Sequence, residues 1–403
     1  MTILFVTHYS GFYGANKSLY TLILLLQEKY GVQPLVLLPH NGPMCEQLFK
    51  SRIPFEVSHY YWWVNDNHGA FQWLLNKRKQ VINYFRIPKL CRLFSKYKLD
   101  LIYTNSMCVN VGVLMAERLD TPHIWQARES ISQFSLSLSL FLSRKIWMLP
   151  SNKCHILISN YMMNVYRNYF PNDRMVRIYN GIDLPKQVEE RTKNNINARL
   201  KIACVGVLSE QKNQIELLKA QAMLRERGVD VETYFYGTGK ESYVEQMRQY
   251  VVKNNLKDIA HIKGHIDDVF GALRDMNLGI VCAHDEAFGR TTIEFMLMHM
   301  PVVVSDSGAN PELITQCMTG TIYPLGNIEK LSNAIEQYVK NPELLQTQGD
   351  EARKVAKREF SAVKNAELIY NEMRRAIDNS SKASSVTESP RLSSQACDVN
   401  LRD

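Results

Sequence analysis

Glu286-Ala-Phe-Gly-Arg-Thr-Thr-Ile-Glu294 stands between the apolar run Leu278–Cys282 and a second apolar run that continues through Met298. The first run is short and unbroken by polar residues, as expected of a strand buried on both faces of a parallel sheet. The second has helical spacing, so a short glycine-containing loop joins the carboxyl end of a strand to the start of a helix. Ligands bind at such places in open α/β sheets, because unpaired N–H groups and the helix dipole point outward. Phe288, Gly289 and Arg290 are placed to offer N–H donors to an anion, with Gly289 permitting close approach. Glu286 precedes the helix and Glu294 lies inside it, so both can face one cleft at different depths. Two glutamates alone are as compatible with a structural role, dipole complementation or simple solvation, as with ligand binding. The surrounding chain decides between these readings.

Working outward, the second half repeats the strand–helix alternation. It reads as strand Lys201–Gly206, helix Gln214–Glu226 and strand Glu232–Tyr236, with further strands near His261–Lys263 and at Val302–Ser305. A helix-rich stretch follows from Ile328 to about Ile377. The first half reads as strand Ile3–Thr7, helix Lys17–Glu28, strand Pro34–Leu38, a Pro/Gly turn at Pro39–Pro43, helix Met44–Ser51 and strand Phe55–Val57. Later strands are Leu101–Thr104, His123–Gln126 and His155–Ile158. Alternation of this kind implies parallel βαβ units with right-handed crossovers. Between the halves, Lys186–Arg199 is polar and asparagine-rich, as expected of a linking loop. The serine-rich end from Asn379 to Asp403 is expected to be disordered.

At 403 residues the chain exceeds one usual core, so two domains are expected. A hydrophobic fraction of 45% and a charged fraction of 22% are those of a water-soluble globular protein. The net charge of +8 favours an anionic partner without selecting one. The eight cysteines are scattered, without zinc-ligand or redox spacing, and read as reduced thiols of a cytoplasmic protein. The opening Met-Thr-Ile-Leu-Phe-Val-Thr-His has no basic n-region and reads as a first strand, not a signal peptide. Ile131 to Leu149 is serine-rich and cut by Arg144 and Lys145, so it fails the length test for a membrane span.

The segment from Glu286 to Glu294 resembles the E-x7-E signature of glycosyltransferase family 4, and the resemblance runs in order from Lys201 to Gly326. Gly206-Val-Leu-Ser-Glu-Gln-Lys212 is similar to the first strand end and phosphate loop of that family's donor domain. Phe235-Tyr-Gly-Thr-Gly239, Ile262-Lys-Gly264-His-Ile-Asp-Asp-Val, Met300 to Glu312 and Thr319 to Gly326 are similar to its later loops. More loosely, Ser10-Gly-Phe-Tyr-Gly-Ala-Asn-Lys-Ser18 resembles its glycine-rich first loop, and Tyr179-Asn-Gly-Ile-Asp183 its segment near the interdomain crossing.

The resemblance implies an α/β GT-B fold, with two facing Rossmann-like domains and a C-terminal helix crossing back. The expected division is an acceptor domain over 1–185, a nucleotide-sugar donor domain over 186–358, a returning helix over 359–378 and a tail over 379–403. The implied reaction is retaining transfer of a sugar from a nucleotide diphosphate donor, UDP- or GDP-linked, to a glycan or lipid-linked acceptor in bacterial surface polysaccharide synthesis. Carried over residue by residue, Lys212 neutralises the diphosphate, Glu286 contacts the transferred sugar and Glu294 holds ribose. Gly14, Gly206, Gly237, Phe288, Gly289, Arg290 and Thr291 complete the donor site. No cofactor or catalytic metal is implied, and the chain has no Asp-x-Asp motif.

Two departures stand out. Val207 occupies a position where the family often has an arginine phosphate clamp. In Pro122-His-Ile-Trp-Gln-Ala-Arg128-Glu129, Arg128 aligns where the family commonly places a histidine near the sugar. Arginine cannot serve as a general base. It can bind a phosphate or an acidic acceptor, or pair with Glu129 between domains; His123 reads as an ordinary strand residue. These departures keep a second reading open, a non-catalytic scaffold subunit of a polysaccharide-assembly complex. An epimerase or phosphorylase is disfavoured by the order of Lys212, Glu286 and Glu294.

Lys77, Arg78, Lys79, Arg86, Lys89, Arg92, Lys96 and Lys98 interleave with Trp73, Leu74, Val81, Tyr84, Phe85, Leu90, Leu93 and Phe94. On a helix this gives a cationic amphipathic surface suited to the anionic inner face of the cytoplasmic membrane, or simply a solvated face. The apolar stretch Phe134–Trp147 is a second candidate for such contact. No nucleic-acid-binding motif accompanies the basic residues.

Overall fold

The structure is a computed structural model describing residues 1–64, 70–130, 145–184 and 199–387, with the side chains of 70–77 and 381–387 excepted. The loop reading of Lys186–Arg199, the Ile131–Leu149 stretch up to residue 144 and the tail from 388 therefore lie outside the described residues.

In chain order the first half comprises β1 (Thr2–Val6), α1 (Gly14–Tyr30), β2 (Gln33–Leu38), α2 (Pro43–Lys50), β3 (Phe55–Val57), α3 (Ala70–Leu93) and β4 (Leu101–Thr104). It continues through α4 (Val111–Leu119), β5 (His123–Ala127), β6 (Asn152–Leu157), α5 (Asn160–Tyr166) and β7 (Met175–Arg177). The second half runs β8 (Leu200–Val205), α6 (Gln214–Glu226), β9 (Val231–Tyr236), α7 (Glu241–Lys253), β10 (Ala260–Gly264), α8 (Val269–Leu273), β11 (Leu278–Val281) and α9 (Arg290–Leu297). Then follow β12 (Val302–Ser305), α10 (Asn310–Leu313), β13 (Gly320–Tyr323), α11 (Ile328–Lys340), α12 (Glu343–Glu359) and α13 (Ala362–Thr387).

The strands form two sheets, ordered β3-β2-β1-β4-β5-β6-β7 and β10-β9-β8-β11-β12-β13. Neighbouring strands in both are parallel. Each order reverses direction once, between β1 and β4 in the first sheet and between β8 and β11 in the second. Loops leaving such a pair diverge to opposite faces and leave a crevice at the carboxyl edge. The central strands are almost wholly apolar and buried, as in Ile3-Leu-Phe-Val6 and Val302-Val-Val304, because helices cover both faces. This is the GT-B architecture.

Helix α13 returns to the first sheet. Ala362, Ala366, Ile369, Met373 and Ala376 repeat at helical spacing and are buried; the last four lie in one apolar cluster with Ile3, Phe5, Leu22 and Leu26. Tyr370 stacks on Tyr30 with ring centroids 4.1 Å apart. The chain crosses over at Gly181, where a Cβ would meet the Ala362 backbone at 2.4 Å, and Asn365 Nδ2 donates to the Tyr179 carbonyl at 2.6 Å. The helix continues past residue 378 to Thr387, so the start of the serine-rich end is helical where disorder was expected. Strands β7 and β13 were not read from sequence as strands. Both are short and lie at sheet edges, and each contains half-exposed residues.

A further apolar cluster is continuous between the two halves, from Trp125, Tyr166 and Phe170 to Phe288, Ile314 and Phe360. Polar contacts cross with it. Ser159 Oγ donates to the Ala287 carbonyl at 2.6 Å and accepts from Met162 N at 3.1 Å, capping α5. Glu312 takes the next donors of α5, accepting from Asn160 N at 2.7 Å and Tyr161 N at 3.0 Å, and from Tyr179 Oη at 3.0 Å. A carboxylate there also complements the helix dipole. The cleft walls are thus joined through the loop that carries Glu286.

Candidate active site

The crevice of the second sheet is built from the loops after β8 and β11. Lys212, in the first loop, donates from Nζ to Glu286 Oε2 in the second, forming an ion pair whose partners are both partly buried. The β11 loop is held from behind: Asp285 N donates to Ser307 Oγ at 2.9 Å, and Ala309 N donates to the Glu286 carbonyl at 2.7 Å. Gly308 lies behind it at φ +65°, where a Cβ would meet Glu286 N at 2.3 Å. Position 308 therefore requires glycine.

Gly289, at φ +92°, turns this loop into α9, and a Cβ there would also crowd Leu313. Among the described residues, the N–H groups of Phe288 and Gly289 have no acceptor. They lie at a helix N-terminus, where the dipole favours an anion. The Phe288 ring is buried against Tyr179 and Phe360, which fixes the loop without using its N–H. Thr291 follows in the first turn. One turn in, Glu294 is buried and accepts from Arg290 Nε at 2.8 Å. Burial raises the pKa of Glu294, opposed by the Arg290 charge. Arg290 also donates from Nη1 to Ser18 Oγ at 3.1 Å, so this cluster reaches α1 of the first half.

Gly206 and Gly237 directly follow β8 and β9. Gly237, at φ +144°, passes so close to Gly206 that a Cβ would meet its carbonyl oxygen at 1.8 Å. Its requirement is explained by this backbone approach. Gly206, at φ +147°, faces open space, and neighbouring Val207 is 61% exposed. Gly14, the first residue of α1, has nothing within 4 Å of an added Cβ. Its loop is shaped by Asn16, which is buried and donates from Nδ2 to the carbonyls of Tyr9 at 2.9 Å and Gly11 at 2.8 Å.

Arg128 immediately follows β5 at the carboxyl edge of the first sheet. Its Nε donates to Asn105 Oδ1, Nη1 to Asn180 Oδ1 and Nη2 to Gln126 Oε1, each at 2.7 Å. Burial lowers its pKa, and Arg290 adds to the effect. The expected alternative of an ion pair with Glu129 is not formed. Glu129 accepts instead from Ser106 Oγ at 2.9 Å and Met107 N at 3.1 Å, within the same half, and its Oε1 lies 3.7 Å from His8 Nε2. Consecutive residues leaving a strand point to opposite sides, which separates the two. The His8 pKa is lowered to about 3, mainly by burial and further by Arg128, so the imidazole is neutral. His123 is a buried strand residue between Thr104 Oγ1 at 2.8 Å and Asn152 Oδ1 at 3.0 Å.

The structure therefore joins Lys212 to Glu286, and Arg290 to Glu294, and places Arg128 opposite on the first sheet. Sequence reasoning did not assign roles to Ser18, Ser159 and Glu312, which tie the walls together, nor to Asn105, Gln126 and Asn180, which grip Arg128. Ser18, Gln126, Asn180 and Glu312 sat in segments already singled out, but without roles of their own. Among the described residues, no three His, Cys, Asp or Glu side chains group to hold a metal ion. No described helix is long and apolar enough to cross a membrane.

Two family models match this chain: Glycosyltransferase Family 4 over residues 13–186, and Glycosyl transferases group 1 over residues 186–355. An uncharacterized glycosyltransferase of Methanocaldococcus jannaschii is 26% identical over 73% of this chain and 80% of its own length. A lipopolysaccharide core biosynthesis mannosyltransferase of Rhizobium leguminosarum is 26% identical over 49% of this chain and 59% of its own. Among solved structures, Anabaena Alr3699/HepE in complex with UDP superposes with a TM-score of 0.75 at 20% identity, covering 93% of this chain and 100% of that one. At that identity the likeness establishes the fold alone.

Proposed function

The chain belongs to glycosyltransferase family 4, and we propose that it moves a sugar from a nucleotide diphosphate donor to a glycan or lipid-linked acceptor in bacterial surface polysaccharide synthesis. Relatives named for lipopolysaccharide core and capsular polysaccharide synthesis support the pathway. The UDP and UDP-glucose complexes of the Anabaena protein support a nucleotide-sugar donor. The observation that carries the reading is the Lys212–Glu286 pair beside the free N–H groups of Phe288 and Gly289.

On this reading the diphosphate takes Lys212 from Glu286 and lies against the start of α9. The freed Glu286 turns to hydroxyls of the transferred sugar, and Glu294 takes ribose hydroxyls. As the glycosidic bond breaks, negative charge grows on the departing phosphate oxygen, and preorganised donors offset it. The acceptor hydroxyl adds to the anomeric carbon on the face the diphosphate leaves, and its proton passes to that phosphate oxygen. The configuration is then retained, and neither an enzyme nucleophile nor a metal ion is assigned a role.

A cytoplasmic, membrane-peripheral location belongs to the same proposal. Helix α3 buries Ile87, Leu90 and Cys91, with Phe94 just beyond its end, and exposes Val81, Tyr84 and Phe85 beside Arg78, Lys89 and Arg92. Aromatic side chains set among cations suit an anionic lipid surface. The side chains of Trp73, Leu74 and Lys77 lie outside the described residues.

The test is thermal stabilisation of the purified chain by a panel of UDP-, GDP-, ADP- and CMP-sugars, with Lys212→Ala as control. A ligand that binds only the folded state adds RT ln(1 + [L]/Kd) to stability. The expected result is a shift with one nucleotide class that Lys212→Ala abolishes, with a loss of about 2–4 kcal/mol of transition-state stabilisation in turnover. No shift with any member, in a folded sample, would overturn the donor-cleft reading.

A further inference from the structure

Arg128 has no direct ionic partner among the described residues, although Glu129 attracts it from a distance and Arg290 repels it. Its three acceptors are neutral amide oxygens, on Asn105, Gln126 and Asn180, and no carboxylate among the described residues lies within ion-pair distance. Each bond uses a different nitrogen of the guanidinium. One N–H on Nη1 and one on Nη2 remain for a further acceptor, and a guanidinium is suited to phosphate or carboxylate.

A neighbouring donor is open too. Gln126 is fully buried, and its Nε2 has no partner among the described residues. Arg290 lies near enough to act on Arg128 as a like charge. Glu129, the nearest acid in sequence, is bonded to Ser106 and Met107 and attracts the guanidinium without hydrogen-bonding to it through its carboxylate. A half-buried cation costs free energy unless an anion meets it. Here an amide cage fixes the guanidinium in place and leaves the anion to be supplied from outside.

We propose that the first-sheet wall of the cleft is an anion subsite, in which Arg128 binds a phosphate or carboxylate group carried by the acceptor. The proposal rests on the glycosyltransferase reading only in assigning the donor to the opposite wall. Arg128 thereby selects an acidic acceptor, such as a sugar phosphate or a uronic acid residue, over its neutral counterpart. Asn105 couples the subsite to the glycine-rich loop, since its Nδ2 donates to the Ala15 carbonyl at 3.2 Å while its Oδ1 holds Arg128.

The experiment measures binding of inorganic phosphate, D-glucuronate and neutral D-glucose to the full chain saturated with UDP. It compares wild type, Arg128→Gln and Arg128→Lys. The expected result is binding of one or both anions but not glucose, weakened at least tenfold in Arg128→Gln and less in Arg128→Lys. UDP affinity stays within twofold, and ligand-free Arg128→Gln is at least as stable as wild type. A phosphate-only response identifies a phosphorylated acceptor; a glucuronate-only response identifies a carboxylate. The proposal is overturned if neither anion binds wild type, or if Arg128→Gln unfolds while Arg128→Lys keeps full anion affinity in a merely structural role. A tenfold loss of UDP affinity in Arg128→Gln also overturns it, by assigning the guanidinium to the donor diphosphate. If wild type binds no nucleotide, the donor reading fails by itself. The same anion series without UDP then still decides the subsite.

Discussion

The two sheets share one strand order up to an extra edge strand in the first, yet their carboxyl edges are chemically unlike. The second edge is self-neutralised: Lys212 meets Glu286, and Arg290 meets Glu294. The first edge holds Arg128 in neutral amides beside a neutral His8. Strand order makes a crevice in each sheet, but the side chains on the loops decide what it accepts. A ligand entering the second crevice must exchange existing ion pairs, whereas one entering the first satisfies groups the protein leaves open.

The largest expected difference between the halves is in acid. His8, His123 and His155 are buried in the first half, with pKa values lowered mainly by burial to about 3, about 4 and about 3. The unfolded chain takes up these protons near pH 6.5, and the folded chain does not. Stability contributed by the neutral histidines is therefore complete above about pH 6.5 and is lost as pH falls toward 4, at about 1.4 kcal/mol per pH unit for each. All five tryptophans, Trp62, Trp63, Trp73, Trp125 and Trp147, lie in this half, so their fluorescence reports chiefly on it. His155 stacks on Phe170 at 3.8 Å between ring centroids and contacts the Trp147 carbonyl at 3.3 Å. His155→Gln should destabilise at pH 7 and lose that penalty progressively down to pH 4.5. A penalty independent of pH would show that burial of neutral histidine is not what makes the first half acid-sensitive.

The halves also differ in how much the sequence disclosed. Central strands such as Leu278–Val281 and Val302–Ser305 were legible because burial on both faces makes them continuous apolar runs. Edge strands Met175–Arg177 and Gly320–Tyr323 were not, since brevity and half exposure leave little pattern. Lys212, Glu286 and Glu294 were legible because each sits in a local motif tied to a strand end. The amides around Arg128 come from positions 105, 126 and 180, which only the sheet order brings together. No local spacing announces such a cage. The same limit applied to Glu129, whose adjacency to Arg128 suggested a pair that strand geometry prevents.

Glycines sharpen the contrast at an intermediate scale. Gly237 is required by the Gly206 carbonyl and by its φ of +144°, whereas Gly14 begins a helix with open space at its Cβ. Gly237→Ala should cost about 2–4 kcal/mol in chemical denaturation, from the strained φ and the separation of the β8 and β9 loops. Gly14→Ala should be neutral or stabilising by up to about 1 kcal/mol, since alanine is the better helix former. If that loop abuts the donor, the same variant weakens nucleotide-sugar binding without loss of stability. Equal destabilisation by the two substitutions would mean that both glycines serve the backbone, and the distinction would fall.

Val207 yields the smallest effect and the finest test of how the second edge holds charge. It is 61% exposed beside Gly206, so Val207→Arg displaces no packing and should leave stability within about 0.5 kcal/mol. If the diphosphate lies at this strand end, as proposed, the added guanidinium should improve donor affinity by about 0.5–1 kcal/mol at low salt, the scale of an exposed ion pair. Raising ionic strength toward 1 M shortens the screening length to about 3 Å and should erase the gain. Lys212, partly buried with Glu286, should be less sensitive to the same salt, because burial excludes the screening ions. Comparing UDP affinity of wild type and Val207→Arg across a salt series separates the two contributions. No gain at low salt would place the diphosphate away from the β8 end, leaving Lys212 to reach it from the far side of the loop. A gain that survives high salt would show that position 207 is buried against the donor when it binds.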